Sequence, residues 1–147
     1  MAILSLDRIR LGATAVDKSD AIRQAGELLV QSGAVNPAYI DGMLAREETM
    51  STYMGNGVSI PHGQFENRGD IRHTGISVLQ LPQGIEWEDD EKAYLVIGIA
   101  AASDDHVSVL ANLAEVIEDE DVTNELIHTT DPNLILSTLG KEQAEEA

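Results

Sequence analysis

One histidine of this chain is placed where it can do chemistry. His62 follows a short apolar strand pattern, Val58–Ile60, and stands between Pro61 and Gly63. Proline fixes the backbone angle on one side and glycine frees it on the other, so the sequence predicts a histidine presented at a turn. Imidazole takes up and releases charged groups near neutral pH. His62 is therefore predicted to carry something transiently and not to bind it passively.

The other three histidines have different surroundings. His106 falls in the first turn of a predicted helix, where unpaired N–H groups and the helix dipole favour an anion, phosphate especially. His62 and His106 both follow strands, and ligands of α/β sheets gather at the carboxyl ends of strands, so the two could face one pocket. His73 is expected at the surface. His128 is expected in the last turn of a helix, facing the negative end of its dipole.

Arg46 is the basic residue that could complete an anion site with His62. It is predicted near the end of the second helix, ahead of the loop that leads to this histidine. A guanidinium neutralises a phosphoryl group at short range. The alternative is a solvated helix residue that pairs with Glu47 or Glu48.

A metal site is a further alternative at the same place. His62 and His106, with Asp104 and Asp105, offer side chains that zinc accepts, although no fixed ligand spacing supports such a site. The chain has no cysteine, which excludes a disulfide, a zinc–thiolate site and a cysteine nucleophile. No metal or cofactor is expected at the site.

Strand and helix patterns alternate along the chain and must position these residues. The strand patterns, the last of them fully buried, cover Ile9–Leu11, Val58–Ile60, Gly75–Leu81 and Ala93–Ala101. The helix patterns cover Lys18–Gln31, Pro37 to about Glu48, the residues after Ser103, Val122–His128 and Pro132 to before Gly140, with Asp17, Asn36 and Ser103 as N-caps. Pro82-Gln83-Gly84 is predicted to turn the chain. The interleaving predicts an α/β fold, a three-layer α/β/α sandwich with a mixed β-sheet.

Length and composition bound the class of protein. The 147 residues, 43% of them hydrophobic, suit one domain over 1–147, with a charged tail from about position 141. The formal net charge of −17 repels nucleic acid and an anionic membrane, so neither is an expected partner. Charged residues within the first twenty break any signal peptide, and the longest uncharged apolar stretch is about half the length that spans a bilayer. A cytoplasmic protein without direct membrane insertion is expected.

Two segments in the same order resemble one known family. Arg46–Glu47 with Thr52–Gly63 resembles the active-site segment of enzyme IIA of the mannitol/fructose class, part of the bacterial phosphoenolpyruvate-dependent sugar phosphotransferase system. Val96–Ala101 with Asp105–His106 resembles the second motif of that family. The resemblance extends from about Arg8 to Gly140. The form Thr-Tyr-Met-Gly at positions 52–55 is similar to the mannitol branch.

The resemblance implies roles for the site residues. His62 would accept phosphate from the phosphocarrier protein HPr, His106 would contact the phosphoryl group, and Arg46 would help to neutralise it. A neutral imidazole is expected to attack in line, with its other N–H held by a backbone carbonyl. Ser59 and Gln64 differ from the residues usual in the family. The fold that the resemblance implies, a mixed sheet between helices, agrees with the pattern above.

The resemblance also implies partners. The next acceptor in this class is a cysteine of domain IIB, which acts with the membrane permease IIC. Since this chain has no cysteine, that acceptor must be another domain or chain. The expected function is a phosphocarrier for sugar uptake, with mannitol as the sugar. The alternative is a regulatory protein of the nitrogen type, phosphorylated on His62 and acting by binding a target.

Overall fold

A five-stranded mixed β-sheet forms the centre of the fold. The computed structural model describes residues 4–63, 65–88, 91–101 and 103–139, with side chains except at 65, 66, 68, 88 and 103–107. The strands are β1 (Ile9–Arg10), β2 (Tyr53–Gly55), β3 (Val58–Ser59), β4 (Gly75–Glu88) and β5 (Glu91–Ala100). Their order across the sheet is β1-β4-β5-β3-β2. β1 runs parallel to β4 and β3 parallel to β5, while the other two pairs are antiparallel.

Helices cover both faces of this sheet. They are α1 (Lys18–Gln31), α2 (Ala38–Thr49), α3 (Ser103–Glu118), α4 (Glu120–His128) and α5 (Pro132–Leu139). β5 alternates between the two faces: Leu95, Ile97 and Ile99 join the core under α3, α4 and α5, whereas Val96 and Ala100 join the core under α1 and α2. Buried on both faces, β5 is an almost continuous apolar run. The predicted three-layer α/β/α sandwich is confirmed.

Local signals predicted some boundaries correctly. α1 has the predicted bounds, and the Asp17 carboxylate accepts a hydrogen bond from the Asp20 N–H as a capping residue does. α2 differs by one residue, because its N-cap is Pro37. Asn36, predicted as that cap, instead accepts a hydrogen bond from Nε of Arg72 at 2.7 Å.

The predicted turn at Pro82–Gly84 is wrong. β4 continues through it and pairs with β5 to the end of both strands. Gln80 pairs with Leu95 and Ile85 with Ala93, so four residues of β4 oppose one of β5 and form a large bulge. Proline and glycine mark bulges as well as turns. At Gly84 φ is +73°, and an added Cβ would lie 2.7 Å from the ring of Tyr94.

Strand β2 was not predicted. It forms a tight hairpin with β3 through Asn56 and Gly57, both of which have positive φ. Asn-Gly favours this type of two-residue turn, but each flanking strand is only two or three residues long and carries little periodicity. The hairpin matters because its second strand, β3, ends three residues before His62.

No helix in the described part of the chain has both the length and the apolar character needed to cross a membrane.

Candidate active site

His62 lies beyond the carboxyl end of β3, beside the carboxyl end of β5. The N–H of Ile99 donates to the carbonyl of Pro61 at 2.9 Å, and His62 forms an isolated parallel bridge with Ile99. The imidazole is partly exposed. The predicted presentation of His62 at a turn that follows a strand is therefore observed.

One hydrogen bond assigns the tautomer of His62. Its Nδ1 lies 2.9 Å from the carbonyl oxygen of Ile60. A carbonyl oxygen only accepts, so the proton of the neutral ring must be on Nδ1. Nε2 then carries the lone pair and is the nitrogen available for attack on an electrophile. A backbone carbonyl was expected to hold the non-reacting N–H, and the Ile60 carbonyl does so.

Tyr39 of α2 holds the other side of the turn. Its hydroxyl accepts a hydrogen bond from the N–H of Gly63 at 2.9 Å and donates one to the carbonyl of Ile99 at 2.8 Å. The residue is 2% exposed. Burial raises the pKa of the Tyr39 phenol above its ordinary value, and the hydrogen bond from Gly63 acts in the opposite direction. The phenol therefore stays neutral and keeps the proton that it donates.

Gly63 is needed for a reason other than the predicted one. The φ angle of Gly63 is not positive. The conformational freedom of glycine is therefore not the reason why this position requires it. A Cβ at this position would lie 2.5 Å from a ring carbon of Tyr39. Close packing of the backbone on this ring excludes a larger residue.

Arg46 and Glu47, adjacent in α2, have opposite surroundings. Arg46 is half-buried in the last turn, and its Nη1 donates to the carbonyl of Met50 at 2.6 Å. Glu47 is 6% exposed and binds the N–H and hydroxyl of Thr52. Arg46 is therefore held by the Met50 carbonyl and Glu47 by Thr52, and the alternative of an Arg46–Glu47 pair is not observed.

Thr52 connects the end of α2 to the histidine turn. Its carbonyl accepts a hydrogen bond from the N–H of Ile60 at 3.0 Å, and the carbonyl of Ile60 in turn accepts from His62. A continuous series of hydrogen bonds thus leads from the buried carboxylate of Glu47 to the imidazole. The end of α2, and Arg46 with it, lies at the same edge of the sheet as His62.

The backbone of His106 lies in the first turn of α3. This helix begins at Ser103, three residues after the end of β5, so its N-terminus faces the edge of the sheet that carries His62. The side chains of His106, Asp104 and Asp105 lie outside the described ones. Among the residues that are described, no group of three or more His, Asp or Glu side chains is arranged to hold a metal ion.

The remaining two histidines are exposed; His73 was predicted at the surface and His128 in the last turn of a helix, and both are observed. His73 precedes β4, and its backbone N–H is bonded to the carbonyl of Ala34. His128 is in the last turn of α4, where its Nδ1 donates to the carbonyl of Asn124 at 2.9 Å. With Lys92, it lines a separate cleft at the amino ends of β3 and β5. It does not belong to the site around His62.

Comparison with known proteins identifies the family. The family model described as phosphoenolpyruvate-dependent sugar phosphotransferase system, EIIA 2, matches residues 2–142. The chain belongs to this family. As an EIIA 2 protein it is a phosphotransferase component, and the resemblance seen in the sequence is confirmed.

Relatives of this EIIA 2 protein include longer chains and solved IIA structures. A multiphosphoryl transfer protein of Haemophilus influenzae is 50% identical over 131 residues, which are 89% of this chain but 26% of that relative's length. The crystal structure of IIA mannitol from Escherichia coli matches with a TM-score of 0.86 and 40% identity, covering 93% of this chain and 99% of that one. A complex of enzyme IIAMTL and phosphorylated enzyme IIBMTL from Escherichia coli matches with a TM-score of 0.87 and 40% identity. The match covers 92% of this chain and 96% of that one.

Sequence reasoning missed two residues that hold the site of this EIIA 2 protein. Tyr39 read only as part of a helix, and Glu47 read as a surface acid. The available signal for Glu47 was its position beside apolar residues at helical spacing, Met43 and Leu44. No local signal indicated Tyr39, since its partners are 24 and 60 residues away in the sequence.

Proposed function

We propose that this chain is a single IIA domain that carries phosphate in the cytoplasm between two protein partners. Nε2 of His62 accepts a phosphoryl group from phospho-HPr and passes it to a cysteine of a IIB partner, which acts with the membrane permease IIC in the uptake of mannitol. The observation that carries the proposal is the hydrogen bond from Nδ1 of His62 to the Ile60 carbonyl, which leaves Nε2 as nucleophile in a chain of the EIIA 2 family.

The transfer balances around the Nδ1 proton. The Nε2 lone pair forms a bond to phosphorus as the N–P bond of the donor breaks, and the ring of His62 becomes positively charged. The Ile60 carbonyl, 2.9 Å from Nδ1, stabilises that charge. When a thiolate of the acceptor attacks phosphorus, the N–P bond breaks, an S–P bond forms, and the neutral ring returns. Nδ1 keeps its proton throughout, so no general base is required.

Three groups would stabilise the transferring phosphoryl. Its transition state spreads negative charge over three oxygens. The guanidinium of Arg46 has five N–H groups and donates one of them to the carbonyl of Met50, so others can donate to these oxygens. The resemblance assigns His106 to contact with the same oxygens, and the N–H groups of the first turn of α3 would donate to them as well.

Similarity supports the choice of partners and sugar. A IIA mannitol of known structure aligns over nearly its whole length at 40% identity, and another match was solved with phosphorylated IIBMTL. The motif Thr52–Gly55 also resembles the mannitol branch. Both encounters should be transient and salt-sensitive, because a chain with a net charge of −17 meets its partners through complementary patches.

Phosphorylation mapped by mass spectrometry tests the acceptor. With phosphoenolpyruvate, enzyme I and HPr, one acid-labile phosphoryl group should appear on His62. His62→Ala should abolish labelling and keep the fold, while the exposed control His73→Ala should be labelled like the wild type. His106→Ala should slow transfer by about 10²–10³, as loss of one donor to the transferring group does. Labelling of His62→Ala at another histidine would overturn the assignment.

Phosphate loss from His62 tests the acceptor protein. The phosphorylated chain is mixed with mannitol-type, fructose-type and nitrogen-type partners, and the loss is timed. Fast loss to a mannitol-type IIB supports the carrier. If no IIB removes the phosphate and the phosphorylated form instead binds a regulator, the chain is a regulatory protein of the nitrogen type.

A further inference from the structure

We propose that Tyr39 is a positioning residue for phosphoryl transfer. Its hydroxyl bridges the turn that carries His62 to strand β5, and so holds Nε2 in line with donor and acceptor. The inference rests on the proposed function and adds a residue to it. In this proposal Tyr39 does not contact the phosphoryl group. It acts through the turn that holds His62.

Two bonds to β5 enclose the histidine in the turn. Before it, the carbonyl of Pro61 accepts from the N–H of Ile99 at 2.9 Å. After it, the N–H of Gly63 donates to the Tyr39 hydroxyl, which donates to the carbonyl of Ile99. Both backbone groups of one β5 residue are therefore used to hold the turn, one directly and one through the phenol.

The phenol is suited to this task because it is fixed itself. Its ring is buried in the core under α1 and α2 and lies against Gly63, where no Cβ could fit. A neutral hydroxyl can donate and accept at once, whereas an ionised one could only accept. Burial keeps it neutral, so both bonds persist over the pH range in which imidazole chemistry operates.

Loss of the hydroxyl frees only the segment after His62. The turn keeps its bond from Ile99 to Pro61, and the ring of a phenylalanine keeps the packing. His62 would then move within a wider range, and misplacement by about 1 Å is enough to slow a transfer reaction strongly. We expect a slower chemical step with docking of the donor unchanged.

Tyr53 offers a matched control. Its hydroxyl also accepts from a backbone N–H, that of Gly57 at 3.1 Å, and donates to a carbonyl, that of Lys92 at 3.3 Å. These bonds lie at the amino ends of β3 and β5, the edge of the sheet opposite to His62. Tyr39→Phe and Tyr53→Phe therefore remove the same kind of bridge, at the two ends of the same pair of strands.

The experiment is single-turnover phosphorylation by phospho-HPr over a range of donor concentrations, with thermal unfolding of each variant measured alongside. Tyr39→Phe should lower the saturating rate about tenfold and leave the half-saturating concentration unchanged, since one hydrogen bond corresponds to about that factor. Tyr53→Phe should transfer like the wild type. Equal rates for the two variants would overturn the inference, and so would a loss in Tyr39→Phe confined to the half-saturating concentration.

Two further results complete the test. If the wild type itself takes no phosphate on His62, the proposed function fails. If the wild type is phosphorylated and Tyr39→Phe is phosphorylated at the same rate, only the inference about Tyr39 fails. If Tyr39→Phe does not fold, Gly63→Ala takes its place, because the added Cβ pushes the turn away from the ring. A folded Gly63→Ala should also be at least tenfold slower, and a wild-type rate there contradicts the inference.

Discussion

The carboxylate of Glu47 is the group whose alteration should affect stability most clearly. One of its oxygens, Oε1, accepts the hydroxyl of Thr52 at 2.5 Å; the other, Oε2, accepts the indole N–H of Trp87 at 3.0 Å. The Thr52 N–H lies 3.2 Å from both, and Nζ of Lys18 lies 3.6 Å from Oε2. One buried carboxylate thus joins α1, α2, β4 and the segment that leads into β2.

The substitution Glu47→Gln keeps the shape of the side chain but replaces one of the two acceptor oxygens with an NH2 group. In either orientation the amide nitrogen replaces an oxygen that accepts from an N–H group, so a donor then faces a donor. Loss of a hydrogen bond to a charged group costs about 1.5–3 kcal/mol, and the unpaired indole or backbone N–H adds to this. We expect a loss of about 3 kcal/mol in the free energy of unfolding, or about 10 °C in Tm for a chain of this size.

Urea unfolding followed by tryptophan fluorescence measures this loss directly, because Trp87 is the one tryptophan of the chain and a member of the network. The control is Glu48→Gln, the same change at the exposed neighbouring position, which should stay within about 0.5 kcal/mol of the wild type. A Glu47→Gln protein as stable as Glu48→Gln would refute the reasoning, since the carboxylate would then contribute nothing that an amide cannot.

Three further predictions concern stability. Within the described part of the chain, nothing hydrogen-bonds to the buried hydroxyl of Ser59, so Ser59→Ala should raise the free energy of unfolding by about 1 kcal/mol; a loss would show that the hydroxyl is satisfied. Gln80 is bonded to the carbonyls of Leu126 and Thr129 and to the N–H of Gly12, so Gln80→Leu should cost about 3 kcal/mol in urea unfolding, and a neutral result contradicts this. The pKa of Tyr39 is raised above 10.0 in the folded state. The stability that this raised pKa contributes is therefore fully present below pH 10 and is lost as the pH rises through the folded-state pKa. The urea midpoint of the wild type should therefore fall more steeply above pH 10 than that of Tyr39→Phe.

Much of the fold was predictable because its signals are local. The cap at Asp17 and the apolar spacing in α1 depend on residues three or four apart, and both were predicted correctly. The run in β5 indicated a strand buried on both faces, which is the position of β5 between β4 and β3. The presentation of His62 followed from its two immediate neighbours.

Predictions failed where one local signal serves two structures. Pro82–Gly84 is compatible with a turn and with a bulge, and only pairing with β5 decides between them. Glu47 and Glu48 are the same residue type at adjacent positions, yet one is buried and the other exposed. The helical spacing of Glu47 from Met43 and Leu44 favours its burial, but the packing of α2 on α1 and the indole of Trp87 complete the distinction.

The sequence by itself determined the order along the chain of the helices and of the strands other than β2, together with the sandwich class, the family and the residue at the turn. These depend on short-range periodicity, backbone preference and motif. Only the tertiary structure decided which ring nitrogen of His62 carries the lone pair, that Tyr39 bridges Gly63 to Ile99, and that Glu47 is linked through Thr52 to the same turn. These contacts join residues up to 60 positions apart. Their geometry depends on how α2 packs against the sheet, so it becomes defined only when the whole core is assembled.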